Sequence, residues 1–144
     1  QMRSDYVEIE LVKNAHFMLS ANSGINHLQQ CFGTPLLLHN YAPAGLIPSH
    51  KNCRFIMKRY IKNKKIVPFK NLETSILLSE DANTISEYGY SFDDNSSEEI
   101  LSLVKNFVEN PNEEQINPDF TFFKSGRGSQ IDRKWFRRNR AIFK

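Results

Sequence analysis

Four residues near the start of the chain, Asn22, Ser23, Gly24 and His27, are of the types and spacing that can hold an oxyanion. A serine hydroxyl and an imidazole donate hydrogen bonds, and glycine lets a ligand approach the backbone closely. A turn entering a helix leaves its first amides without intrahelical partners, at the positive end of the helix dipole. Asn22 and Ser23 are both favourable N-cap residues, and His27 falls within the first helical turn. A diphosphate seated there meets amide hydrogens, the Ser23 hydroxyl and the His27 ring, with each helix-end contact contributing about 0.3–1 kcal/mol. The same residues also describe an ordinary capped helix with a surface histidine. The residues alone leave both readings open.

The elements that position this turn follow from the flanking pattern. Residues 17–21 are short and apolar enough for a buried strand, and the helix behind the turn places Ile25, Leu28 and Phe32 on one face before Gly33 ends it. Pro35 then leads into Leu36-Leu37-Leu38, whose lack of polar alternation predicts a parallel strand covered on both faces. Two parallel strands require a crossover, so the unit is βαβ. The loop through Pro43, Gly45 and Pro48 lies at the carboxyl end of a strand, the edge at which open parallel sheets bind ligands.

Elsewhere the pattern is uneven. Residues 5–14 suit a helix capped by Ser4, yet Val7, Ile9 and Leu11 alternate with Glu8 and Glu10 as in a strand. Residues 54–67 mix cations with apolar residues and resist assignment. Pro68 suits the first turn of a helix in which Phe69, Leu72 and Ile76 share a face. A short strand is expected near 90–92. Ser96-Ser97-Glu98-Glu99 reads as a capping box ahead of Ile100, Leu101, Val104, Phe107 and Val108, the most clearly marked helix of the chain. Pro111 and Pro118 bracket an acidic loop, and a closing helix is expected over 132–139.

The chain has 144 residues, of which 40% are hydrophobic and 12% aromatic, enough for one globular domain with a real core. No apolar run reaches the length of a membrane span, and no secretory signal pattern is present. Cys31 and Cys53 lack a Cys-x-x-Cys or metal spacing and read as buried thiols in a reducing compartment. The net charge of +3 conceals segregation: residues 51–70 carry eight Lys or Arg and no acid, 71–120 carry twelve acids and one Lys, and 121–144 carry eight cations and one acid. Such runs describe solvated faces, a basic rim beside an anionic ligand, or a nucleic-acid surface in which Lys124, Arg127, Arg133, Lys134, Arg137, Arg138, Arg140 and Lys144 surround Trp135, Phe136 and Phe143. Asp93-Asp94 lacks the Asp-x-Asp spacing that holds a divalent cation and reads as a loop before the capped helix. A hydrolase lacks support, because no Gly-x-Ser-x-Gly elbow is present.

The segment from Asn22 to Leu28, followed by Phe32-Gly33-Thr34-Pro35, resembles the donor-binding turn of heptosyltransferase-type glycosyltransferases, in which Ser-Gly-x-x-His-Leu precedes a Gly-x-Pro strand. It is more closely similar to a group of bacterial glycosyltransferases of surface-polysaccharide pathways, with their Ser-Asp helix start (Ser4-Asp5), Asn-x-x-Pro loop (Asn40 to Pro43) and late strand-to-helix junction (94–100). The resemblance covers most of residues 4–110.

It implies an α/β fold, a three-layer Rossmann-like domain with a short, mostly parallel sheet, corresponding to the C-terminal, donor-binding half of a GT-B enzyme. Residues 1–120 would form that domain and 121–144 a basic tail or closing helix. Asn22, Ser23, Gly24 and His27 would bind the nucleotide-sugar diphosphate, and His27 would be catalytic, stabilising the departing diphosphate. Glu73 would face the ribose, although a solvated carboxylate also fits it, and Arg54, Lys58 and Arg59 are candidates for added charge. No metal or other cofactor is expected.

The implied partners are a nucleotide-sugar and a glycan or lipid-linked acceptor, in the cytoplasm or peripherally at the inner membrane. Because the motif begins so close to Gln1, the chain is expected to be either a fragment of a longer protein that carries the acceptor half or a stand-alone remnant that binds a ligand or partner. The partners to look for are a missing N-terminal domain or a homo-oligomer, and efficient turnover is expected only with the acceptor half. The rival reading is a non-catalytic binding module whose basic tail takes a nucleic acid or a protein partner, of which nucleic acid is the less favoured.

Overall fold

The computed structural model describes residues 5–46, 48, 52–113 and 129–144. Ser4, the tail cations Lys124 and Arg127, and most of the loop between Pro111 and Pro118 lie outside them.

Residues Asp5–Asn14 form helix α1, which settles the ambiguous first segment. Val12 is its buried residue, while Tyr6, Val7 and Leu11 remain 71%, 52% and 66% exposed. The βαβ unit follows as expected: β1 (Met18–Ser20), α2 (Asn26–Phe32) and β2 (Leu36–Tyr41), with β1 and β2 parallel. Gly33 closes α2 at φ 72°, a left-handed cap that costs glycine little. Leu36, Leu37 and Leu38 are all fully buried, so both faces of β2 are covered. Each such leucine contributes about 1.5–3 kcal/mol of burial.

The expected inner face of α2 is not the observed one. Ile25 and Phe32 stay 37% and 39% exposed, whereas Asn26 and Gln29 are the buried positions. Ile25 precedes the helix proper, and the Asn26 amide turns inward to donate to the Ala21 carbonyl at 2.8 Å. That bond orients this seven-residue helix, and Gln29 is buried with neither amide atom paired among the described residues.

The unassigned stretch 54–67 resolves into three strands. β3 (Cys53–Met57) continues the parallel sheet beside β2, and β4 (Arg59–Lys62) with β5 (Lys65–Val67) makes a hairpin. Its turn, Asn63-Lys64, holds φ of 52° and 61°, the two positive angles of a type I′ turn. Lysine in the second turn position hides that signal in the sequence. Arg54 sits inside β3 because its guanidinium donates to the carbonyls of Asn110 and Pro111, both at 2.7 Å, and lies 5.1 Å from the Phe107 ring centre.

Phe69, Leu72 and Ile76 are buried together as expected, but the helix is broken into a 3-10 turn (Phe69–Asn71) and α3 (Thr74–Leu78), separated at Leu72 and Glu73 by extended backbone. Helix α4 (Ala82–Glu87) starts at Asp81, which accepts from the Thr84 amide at 2.8 Å. β6 (Ser91–Asp93) pairs antiparallel with β4. The capping box is present, with Ser96 and Glu99 exchanging bonds at the start of α5 (Ser97–Glu109). β7 (Ser129–Ile131) adds a fourth parallel strand, and α6 (Arg133–Arg138) begins at Asp132, which accepts from the Trp135 amide at 2.8 Å. A last 3-10 turn, Arg140–Phe143, closes the described chain.

The main sheet therefore runs β1-β2-β3-β7, all parallel, with helices against it and a three-stranded antiparallel sheet β5-β4-β6 beside it. This is a Rossmann-like α/β domain. The two basic sequence segments meet through their aromatic residues: Tyr60 packs on Phe69 at 6.0 Å, and Phe69 on Phe143 at 5.1 Å.

Candidate functional site

In a parallel sheet the strand ends that carry ligands are the carboxyl ends, and the loops following β1, β2 and β3 converge there. Together they enclose an open polar cleft of about 640 Å³. Asn22, Ser23, Gly24 and His27 line it from the turn after β1, and Asn40 and Ala42 from the end of β2. Lys58 comes from the corner between β3 and β4, Glu80 from the loop after α3, and Asp94 from the end of β6. That volume lies within the range of small-molecule sites.

Each wall has a physical reason. Within the turn, the amides of Asn26, His27 and Leu28 donate to the carbonyls of Ser23, Gly24 and Ile25 at 3.0–3.2 Å, so the backbone tightens before the helix begins. These bonds do not use the amides of Ser23, Gly24 and Ile25. Asn22 does not cap the helix, contrary to its residue type. Its side-chain amide instead donates across the cleft, to the Ala42 carbonyl at 3.3 Å and to the Glu80 carboxylate. Nor does Ser23 cap it, since the N-cap position is Ile25 and no side-chain bond is made there. A Cβ built at Gly24 meets nothing within 4 Å, so packing does not require glycine there.

The opposite wall is held by asparagines. Asn40, at φ 51°, accepts from the Asn95 amide at 2.5 Å, and Asn95 in turn accepts from the Asn40 amide at 2.7 Å. The Asn95 side chain also donates to the Met57 carbonyl at 2.9 Å. This clamp ties β2, β3 and the β6–α5 junction at one point and fixes Asp94 beside Lys58. The Lys58 ammonium pairs with Asp94 at 2.9 Å and rests 4.9 Å from the Phe92 ring centre. Tyr60 secures the β2 loop by accepting from the Ala44 amide at 3.1 Å, and burial pushes its phenol up to about 12. His39, next to the cleft residue Asn40, is held below the ordinary histidine range by burial, with Asp94 opposing.

Of the residues singled out in the sequence, the structure thus brings together Asn22, Ser23, Gly24 and His27, and adds Lys58. Glu73 is elsewhere: it is exposed at the N-cap of α3 and does not line the cleft, where Glu80 stands instead. The break between the 3-10 turn and α3 separates Glu73 from the site. Arg54 is engaged with the end of α5, and Arg59 with Asp93 at 3.2 Å, with Glu99 and with Asn139 at 3.1 Å. Lys58 alone of the three cations reaches the cleft. Its run of cationic neighbours concealed it, because nothing in the spacing marks the corner between two strands. Glu80 carried no signal either, and Asn95 was marked only as part of the 94–100 junction.

The tail also differs from its sequence appearance. Trp135 and Phe143 are 4% and 7% exposed, within the core, so neither offers a face for stacking on a base. Cys53 is buried, but Cys31 is exposed, on the outer side of α2. Among the described residues no group of three or more His, Cys, Asp or Glu side chains could hold a metal ion. No helix among them is long and apolar enough to cross a membrane.

The architecture and the cleft define a class: a Rossmann-like α/β domain with a polar, mixed-charge site at the carboxyl edge of its parallel sheet. Comparison of the chain with protein-family models, with curated proteins and with solved structures returned no match.

Proposed function

We propose that the cleft binds the diphosphate of a nucleotide-sugar, and that the domain is the donor-binding half of a GT-B-type glycosyltransferase of surface-polysaccharide or glycoconjugate synthesis. One observation carries this reading: Asn22, Ser23, Gly24 and His27, the turn that resembles such donor sites, share one cleft with the Lys58 ammonium. The chemistry follows from those groups. The Ser23 hydroxyl, the backbone amides not used by the turn, the His27 ring and Lys58 all offer hydrogen atoms or positive charge to oxyanions. Sugar transfer from a nucleoside diphosphate leaves negative charge on the departing phosphate. Donors fixed in advance around that position stabilise the charge as it develops.

In this reading His27, which lines the cleft, donates a hydrogen bond to the leaving group. Glu80 takes the part first expected of Glu73, as the carboxylate within reach of ligand hydroxyls. An acceptor half is required for turnover, and the exposed apolar strip of Tyr6, Val7 and Leu11 on α1 supports the presence of a further packing partner. The rival reading of the basic tail as a nucleic-acid module rests mainly on charge, with Trp135 and Phe143 in the core and Phe136 half-buried against it.

The test is calorimetric binding of nucleoside diphosphates and nucleotide-sugars to the wild type and to the Ser23→Ala and His27→Ala variants. Binding in the wild type that weakens about tenfold or more in the variants, with melting temperatures unchanged, is the expected result. Equal affinity in all three proteins rules the site out.

A further inference from the structure

The cleft contains more negative than positive charge. Glu80 and Asp94 face one Lys58, and Lys58 is already paired with Asp94 at 2.9 Å. An anion entering this site therefore meets a cation that is taken. We infer that Asp94 is a built-in competitor for the ligand anion and must leave Lys58 before the ammonium can take a phosphate. The inference rests on the anion-binding reading above and adds the residue that holds the affinity of the site down.

The geometry makes this pair more than a chance surface contact. Asp94 directly precedes Asn95, whose three hydrogen bonds to Asn40 and Met57 fix the backbone at the cleft wall. Lys58 is held from the other side, with its amide donating to the Tyr41 carbonyl at 3.0 Å and its ammonium over Phe92. The partners differ in freedom: the Lys58 side chain is 25% exposed and that of Asp94 is 61% exposed. The cation is the anchored member, and the carboxylate can swing into solvent when another anion arrives.

The competition acts on every anion. Breaking the Lys58–Asp94 pair costs the same whichever anion replaces the carboxylate, and the displaced carboxylate still repels the ligand in proportion to its charge. Asp94 thus lowers the affinity of the site for phosphate and for diphosphate alike, and for the more highly charged anion at least as much.

The experiment measures binding of inorganic phosphate, inorganic pyrophosphate and nucleoside diphosphates by calorimetry at two sodium chloride concentrations. The proteins are the wild type, Asp94→Asn, Asp93→Asn and Lys58→Met. Loss of an exposed ion pair corresponds to about a two- to fivefold change in affinity. Asp94→Asn is expected to tighten phosphate by about that factor and pyrophosphate by at least as much, and to make pyrophosphate binding more sensitive to chloride. Asp93→Asn removes the same charge one residue away, from Arg59 rather than Lys58, and is expected to change much less. Lys58→Met is expected to weaken both anions.

Unchanged or weaker binding in Asp94→Asn, equal tightening in Asp93→Asn, or no anion binding to any of the proteins overturns the inference. Nucleoside diphosphates that bind no better than pyrophosphate, while Asp94→Asn behaves as stated, overturn the nucleotide reading and leave the competitor role standing.

Discussion

Replacing Asn95 by alanine removes the clamp that builds one wall of the cleft, and its cost can be worked from the bonds it makes. The Asn95 side chain accepts from the Asn40 amide at 2.7 Å and donates to the Met57 carbonyl at 2.9 Å, and the residue is only 7% exposed. Alanine leaves both backbone groups without these partners, while the bond from the Asn95 amide to the Asn40 side chain survives. A buried polar group left unpaired costs about 1–3 kcal/mol, and the partial burial of the Asn40 amide places the sum near 2–4 kcal/mol. For a chain of this size that corresponds to a fall of roughly 5–15 °C in melting temperature. Calorimetric unfolding of the wild type, Asn95→Ala and Asn95→Asp is the assay. Aspartate keeps the acceptor for Asn40 but loses the donor to Met57 and adds charge beside Asp94. A loss in Asn95→Ala below about 0.5 kcal/mol would show that the clamp does not hold the wall and would refute the reasoning.

Other perturbations separate packing from binding. A Cβ at Gly45 comes within 2.8 Å of the Leu77 carbonyl oxygen, so Gly45→Ala should lower stability by about 1–3 kcal/mol in denaturant unfolding. Open space at Gly24 predicts the opposite division: Gly24→Val keeps stability within about 0.5 kcal/mol but projects into the cleft and abolishes diphosphate binding by calorimetry. His39 titrates below its unfolded value, so the unfolded chain binds more protons as the solution is acidified. Its contribution to stability is present above about pH 6.5 and is lost below it; His39→Gln should flatten that part of a pH series of unfolding curves.

The legible parts of this chain were those governed by local rules. The triple leucine of β2, the left-handed Gly33, the Ser96–Glu99 capping box and the closing helix at Asp132 each have a cause within a few residues of their position. The illegible parts depend on distant neighbours. Arg54 occupies a core strand only because the end of α5 supplies carbonyls for it. Asn26 rather than Ile25 faces inward because of the Ala21 carbonyl. The cleft divides in the same way: the turn from Asn22 to His27 is one continuous segment and could be read directly. Lys58, Glu80 and Asp94 reach it from three separate segments, and long-range pairing alone brings them there.

The central claim is that the Asn22–His27 turn and Lys58 form one diphosphate site. Titration of isotopically labelled protein with a nucleoside diphosphate, followed through its amide resonances, tests this most directly. Saturable shifts confined to residues 21–27, 40–42, 58, 80 and 94, absent in Gly24→Val, are the expected result. No shift in those residues at millimolar nucleotide, or shifts centred instead on the basic helix 133–138, would contradict the claim.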